Sequence, residues 1–117
     1  MERSTGGHRV SSEVSVPVII RPAAELELQD AFVWSENVEP GLGSRFLTNV
    51  SRIVETLEAQ PYAFPVFYRD TRRAVVPHSP YLLFFVSTPT RVVVLACFSG
   101  HRDPRWVRRI LKRRQRT

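Results

Sequence analysis

Lysine is almost missing from this 117-residue chain: of its seventeen cationic side chains, only Lys112 is not an arginine. That bias favours planar, bidentate contacts to phosphate or carboxylate over diffuse charge. Cysteine occurs once, as Cys97, which excludes an intramolecular disulfide. Set inside an apolar run, it reads as a buried, inert thiol. Three histidines and that cysteine are scattered without ligand spacing, so no metal site is expected. No apolar run approaches the ~20 residues needed to span a bilayer. The N-terminal stretch MERSTGGHRVSSEV lacks the apolar core of a signal peptide, which leads us to expect a cytoplasmic protein. No repeat or low-complexity tract is present. No cofactor is expected either, because Gly41-Leu42-Gly43 lacks the Lys and the preceding strand of a phosphate loop and reads as a helix-start turn.

Carboxylates are scarce in one half only. Residues 1–59 carry five Arg against nine acidic residues, a balance of −4, whereas residues 60–117 carry eleven Arg and Lys112 against Asp70 and Asp103, a balance of +10. A half this basic implies a polyanionic partner, either nucleic acid or an acidic protein segment.

Length sets a single domain, with residues 1–13 a disordered extension and residues 14–117 the folded unit. Val14 to Ile20 is β-branched and reads as a first strand ended by Arg21-Pro22. From Pro22 the period changes: Ala24, Leu28, Ala31, Trp34, Ser35 and Val38 recur at three and four residues, the apolar face of a helix. Glu39-Pro40-Gly41 breaks it. A second helix follows with Phe46, Val50, Ile53, Val54 and Leu57 on its apolar face, closed by Pro61. So short a link predicts an antiparallel helical hairpin. Phe64–Tyr68, Arg72–Pro77, Tyr81–Val86 and Arg91–Phe98 are strand candidates joined by short turns, which predicts a four-stranded antiparallel meander. The run Val92–Phe98 is continuously apolar, so that strand is expected to be central and covered on both faces. Asp103-Pro104 then supplies an N-cap and a first-turn proline for a final helix, with Trp106, Val107, Ile110 and Leu111 inward and Arg105, Arg108, Arg109 and Lys112 outward. The fold class is α+β.

The order of Ala24, Ala31 and Trp34, Pro40-Gly41-Leu42-Gly43 with Phe46, Pro61, Arg72-Arg73, Pro80-Tyr81, and Arg102-Asp103-Pro104 with Trp106 resembles the RelE/ParE superfamily. The resemblance covers roughly residues 16–109. These proteins are the toxins of bacterial type II toxin–antitoxin systems, associated with plasmid stabilisation and stress. The resemblance implies a compact α+β toxin neutralised by a cognate acidic antitoxin. One branch cleaves messenger RNA on the ribosome; the other inhibits DNA gyrase.

The ribonuclease branch uses Arg on the strand matching Arg72-Arg73, basic residues near the last strand and a Tyr, His or Glu as acid/base. Here Ser99 stands where relatives commonly have His, and Phe84-Phe85 stands where many have an aromatic pair ending in Tyr. Phe cannot transfer protons. The catalytic candidates are therefore Arg72, Arg73 and Arg102 for charge, with His101 first and Tyr81 and Tyr68 behind it for proton transfer. Contacts to a target or antitoxin are expected from Arg69, Arg72, Arg73, Arg91, Arg102, Arg105 and Arg109. The balance favours gyrase inhibition by binding. The alternatives are a metal-independent mRNA interferase and an inactive, binding-only relative or co-repressor.

Overall fold

The computed structural model describes residues 15–115. The expected extension over residues 1–13 lies outside them, as do Val14 and the last two residues. The elements are β1 (Val18–Ile20), α1 (Pro22–Val38), α2 (Leu42–Ala59), β2 (Val66–Tyr68), β3 (Thr71–Val75), β4 (Tyr81–Ser87), β5 (Val92–Ser99) and α3 (Pro104–Gln115). The expected α+β class and element order are those observed.

The five strands form one sheet in the order β1-β5-β4-β3-β2. β2 to β5 are the antiparallel meander, whereas β1 runs parallel to β5, with Val18, Ile19 and Ile20 opposite Val92, Val93 and Val94. The sheet is therefore mixed. β5 is flanked by β1 on one side over those residues only, so the strand expected to be central is paired on both sides along three of its eight residues. Every residue from Val92 to Phe98 is nonetheless buried, because helices cover both sheet faces.

On one face Ala24, Leu28 and Ala31 of α1 and Phe46, Val50, Ile53 and Leu57 of α2 pack on Ala74, Leu83, Phe85, Val92, Val94 and Cys97. On the other, Val107 and Leu111 of α3 pack on Phe84, Val93, Leu95, Ala96 and Phe98. Leu95 and Ala96 are consecutive yet share a face because the ladder slips there: Phe84 opposes Ala96 and Phe85 opposes Val94, leaving Leu95 unopposed. Each large side chain buried in these layers stabilises the fold by roughly 1.5–3 kcal/mol.

The hairpin turn is held by one carboxylate. Glu36 Oε1 accepts from Gly41 N–H at 3.0 Å and Gly43 N–H at 2.8 Å, satisfying donors at the start of α2. Gly41 adopts φ 91°, open to glycine, and a Cβ on Gly43 would meet the Phe32 ring at 2.8 Å. Trp34 and Val38, expected on the inner face of α1, are instead 46% and 58% exposed. Ala24, Leu28, Ala31 and Ser35 already complete the inward stripe at four- and three-residue steps, which rotates Trp34 and Val38 to its margin.

Candidate functional site

A row of aromatic rings crosses the sheet face that carries α3. Phe67 lies 5.3 Å from Phe84, Phe84 5.8 Å from Phe98, and Phe98 5.0 Å from Trp106, measured between ring centroids. β2, β4, β5 and α3 each contribute one ring. Arginines sit on the rings along the row. Arg73 and Arg108 approach Phe67 at 5.2 and 6.0 Å, Arg114 approaches Phe98 at 5.3 Å, and Arg102 approaches Trp106 at 4.8 Å. Arginine over an aromatic face gains from the ring quadrupole while its N–H fork stays open at the edge. Arg73, Arg102 and Arg108 form no salt bridge among the described residues. They present cations on a preorganised apolar base.

Alternation on β3 separates the two adjacent arginines. Arg73 is exposed on this face. Arg72 turns to the hairpin side, where its Nη1 donates to Phe64 O at 2.6 Å and its guanidinium lies 5.2 Å from the Tyr62 ring. Arg72 is thereby a brace for the segment before β2. Arg69 sits in the β2–β3 turn at φ 53°, over Tyr68 at 5.2 Å. Arg91 precedes β5 at the opposite end from Arg102, about 25 Å away along an extended strand. These candidates do not share one site.

The start of α3 uses Asp103 as designed by the sequence. Its Oδ1 accepts from Arg105 N–H at 2.9 Å, and that backbone bond, then the Arg105 side chain, holds the carboxyl below its ordinary range, with the charges of Arg109 and Arg108 adding to the effect. Arg105 pairs with Asp103 at 3.4 Å in solvent, and Arg109 is an exposed side chain on the same helix.

The proton-transfer candidates lie elsewhere. Tyr81 packs edge-on against Trp34 and Phe46 on the hairpin side. Burial, with Cys97 and Asp30 nearby, pushes its phenol up, partly offset by Arg102, so it remains protonated at neutral pH. His101 is exposed beyond β5; its backbone N–H donates to Ser99 Oγ at 3.2 Å. Tyr81, Ser99, Arg102 and Trp106 do share a cavity of about 390 Å³ at the side of β5 that β1 leaves open. His101 does not line it. Glu27 and Arg114 do, and they form a bidentate pair there with oxygen–nitrogen distances of 2.8 and 2.9 Å.

Sequence reasoning missed Arg108, Arg114 and the ring row. A period-two reading of β5 would have put Leu95 and Ala96 on opposite faces, and only the slip in the ladder brings Phe98 beside Trp106.

No protein-family model and no curated protein sequence matches the chain. A solved structure does: it is similar to a chain of the "Chromosomal ParDE TA system from P. aeruginosa", with a TM-score of 0.63 and 11% sequence identity, over 73% of this chain and 96% of that one. The fold is ParE-like. At this identity the likeness speaks for the fold, and it agrees with the resemblance drawn from the ordered residues. Among the described residues, no helix is long and apolar enough to cross a membrane, and no group of His, Cys, Asp or Glu is placed to hold a metal ion.

Proposed function

We propose that this protein is the toxin of a type II toxin–antitoxin pair, that it inhibits DNA gyrase by binding, and that a cognate acidic antitoxin neutralises it. The observation that carries the reading is the make-up of the α3 face. Its exposed chemistry is Arg73, Arg102 and Arg108 seated on Phe67 and Trp106. Cleaving RNA needs a proton acceptor and a donor within hydrogen-bond reach of the reacting oxygens. Tyr81 shares a cavity with Arg102 but packs on Trp34 and Phe46, on the sheet face away from Arg73 and Arg108; His101 is exposed past the end of β5, and Ser99 occupies the position where the family commonly carries His. Cations over aromatic rings suit recognition of an acidic surface, and the +10 balance of residues 60–117 suits an acidic antitoxin. The ParE-like fold supports the same reading.

Expression of the chain without an antitoxin is expected to arrest growth and induce the DNA-damage response, with messenger RNA intact. Co-expression of an acidic partner from the neighbouring reading frame is expected to restore growth. Arrest with intact DNA and cleaved messenger RNA would reject the gyrase reading. That outcome belongs to the second reading, a ribosome-dependent endoribonuclease, which the convergence of Arg73 and Arg108 on one ring favours. It requires codon-phased cleavage that is lost in Arg73→Ala and His101→Gln.

A further inference from the structure

The helical hairpin is acidic apart from two side chains. Between Pro22 and Ala59 there are seven carboxylates and two cations, Arg45 and Arg52. Both cations line one groove of about 450 Å³ between α2 and the β3–β4 turn, together with Asn49, Ile53, Pro77 and His78. Arg45, Asn49 and Arg52 follow at steps of four and three, so they form a single row with the arginines about 10 Å apart along the axis. Neither arginine has an acidic partner among the described residues, although carboxylates abound on the same two helices.

The opposing wall is held in place. Asn49 Nδ2 donates to Pro77 O at 3.1 Å, tying the turn to α2. The next residue, His78, adopts φ 59°, a left-handed conformation that few residues with a side chain take up. The tie keeps His78 in the wall facing two guanidinium groups, whose like charges an anion would relieve.

A second cavity of about 120 Å³ adjoins this groove and shares Arg45, Asn49, Pro77 and His78 with it; Trp34, Phe46 and Pro80 make its apolar wall. Trp34 is 46% exposed yet braced, because Tyr81 meets its ring edge-on at 5.8 Å and Phe46 meets Tyr81 at 5.6 Å. A braced, half-exposed indole therefore lies beside the groove lined by the two arginines.

We propose that the groove and slot form one binding site for a phosphate monoester bearing a planar aromatic group, of which a nucleoside monophosphate is the simplest example. Arg45 and Arg52 hold the phosphate through forked N–H donors, and the ring lies against Trp34. The site is on the sheet face opposite α3 and does not depend on the toxin reading.

Titration calorimetry of the full chain with adenosine 5′-monophosphate, adenosine and inorganic phosphate tests it. The monophosphate is expected to bind at least about tenfold more tightly than either fragment. Arg45→Gln and Arg52→Gln should each weaken it about tenfold, the scale of one lost charged hydrogen bond. Trp34→Ala should remove the advantage of the nucleotide over phosphate while phosphate binding persists. Lys112→Gln, on the opposite face, should change nothing. Both arginines are exposed, so melting curves are expected to match wild type. Equal binding of nucleotide and phosphate by the wild-type chain, or nucleotide binding retained in both arginine variants, would overturn the proposal. So would an acidic, phosphate-free peptide that occupies the groove and is not displaced by the nucleotide.

Discussion

Arg114 and Glu27 meet in a bidentate pair across the side of β5 where β1 has ended, and between them they occupy the backbone groups left open there. Arg114 Nη1 donates to Leu95 O at 2.9 Å, and Glu27 Oε1 accepts from Cys97 N–H at 3.1 Å. β1 pairs with β5 only as far as Val94, so Leu95 O and Cys97 N–H take their partners from outside the sheet. Glu27 comes from α1 and Arg114 from the last turn of α3, so the pair joins the two helical layers around the sheet edge. Gln115, beside Arg114, donates to the buried Thr71 Oγ1 and fixes the same turn to β3.

Each side chain of the pair is 23% exposed, so removing one partner leaves the other largely desolvated. Arg114→Met and Glu27→Gln are each expected to destabilise the fold by about 1–3 kcal/mol. The double variant should cost less than the sum of the two singles. Urea denaturation of the four proteins measures this, and additive losses would show that the contact contributes no coupling.

Gly43 is a packing constraint at the start of α2. A Cβ there would lie 2.8 Å from both the Phe32 ring and Glu36 Cγ, the side chain that caps the helix. Gly43→Ala is expected to lower stability by about 1–3 kcal/mol despite the gain in helix propensity. A melting temperature at or above wild type would contradict the close approach.

Burial, with the Glu27 carboxylate nearby, pushes the Cys97 thiol up to about 12. In the unfolded chain a thiol ionises near pH 8.5. Above that value the unfolded state releases a proton that the folded state retains, so stability is unaffected at lower pH and falls as pH rises toward 12. The slope from this group is about 1.4 kcal/mol per pH unit. Cys97→Ala should flatten the alkaline fall relative to wild type. At neutral pH the folded thiol should resist alkylation, its rate following unfolding; modification as fast as in urea would disprove the burial argument.

Arg72 and Arg73 are neighbours with different expected phenotypes. Arg72→Gln loses the bond to Phe64 O and is expected to lower stability by about 1–2 kcal/mol. Arg73→Gln should leave the melting temperature unchanged and abolish growth arrest, because Arg73 is exposed on the ring row. Toxicity lost only with Arg72→Gln would put the target on the other face.

Much of this arrangement was legible in the residues. Pro22 and Asp103-Pro104 mark two helix starts, Pro40-Gly41 marks the hairpin turn, and the apolar run Val92–Phe98 marks the strand buried on both faces. These signals are local: dihedral preference, capping and periodicity act within a few residues, so they can be read without knowing what packs where. Alternation alone also sent Arg72 and Arg73 to opposite faces.

The tertiary structure decided which distant residues meet. The parallel pairing of β1 with β5, the unopposed Leu95, the row from Phe67 to Trp106 and the Glu27–Arg114 pair each join segments far apart in the chain, and none leaves a periodic trace. Tyr81 and Arg102 came to one cavity while His101, adjacent to Arg102, stayed outside it. The physical reason is that side-chain direction at the end of a strand depends on its register and on the helix docked across it, and both are settled by packing between layers rather than by the residues at the site.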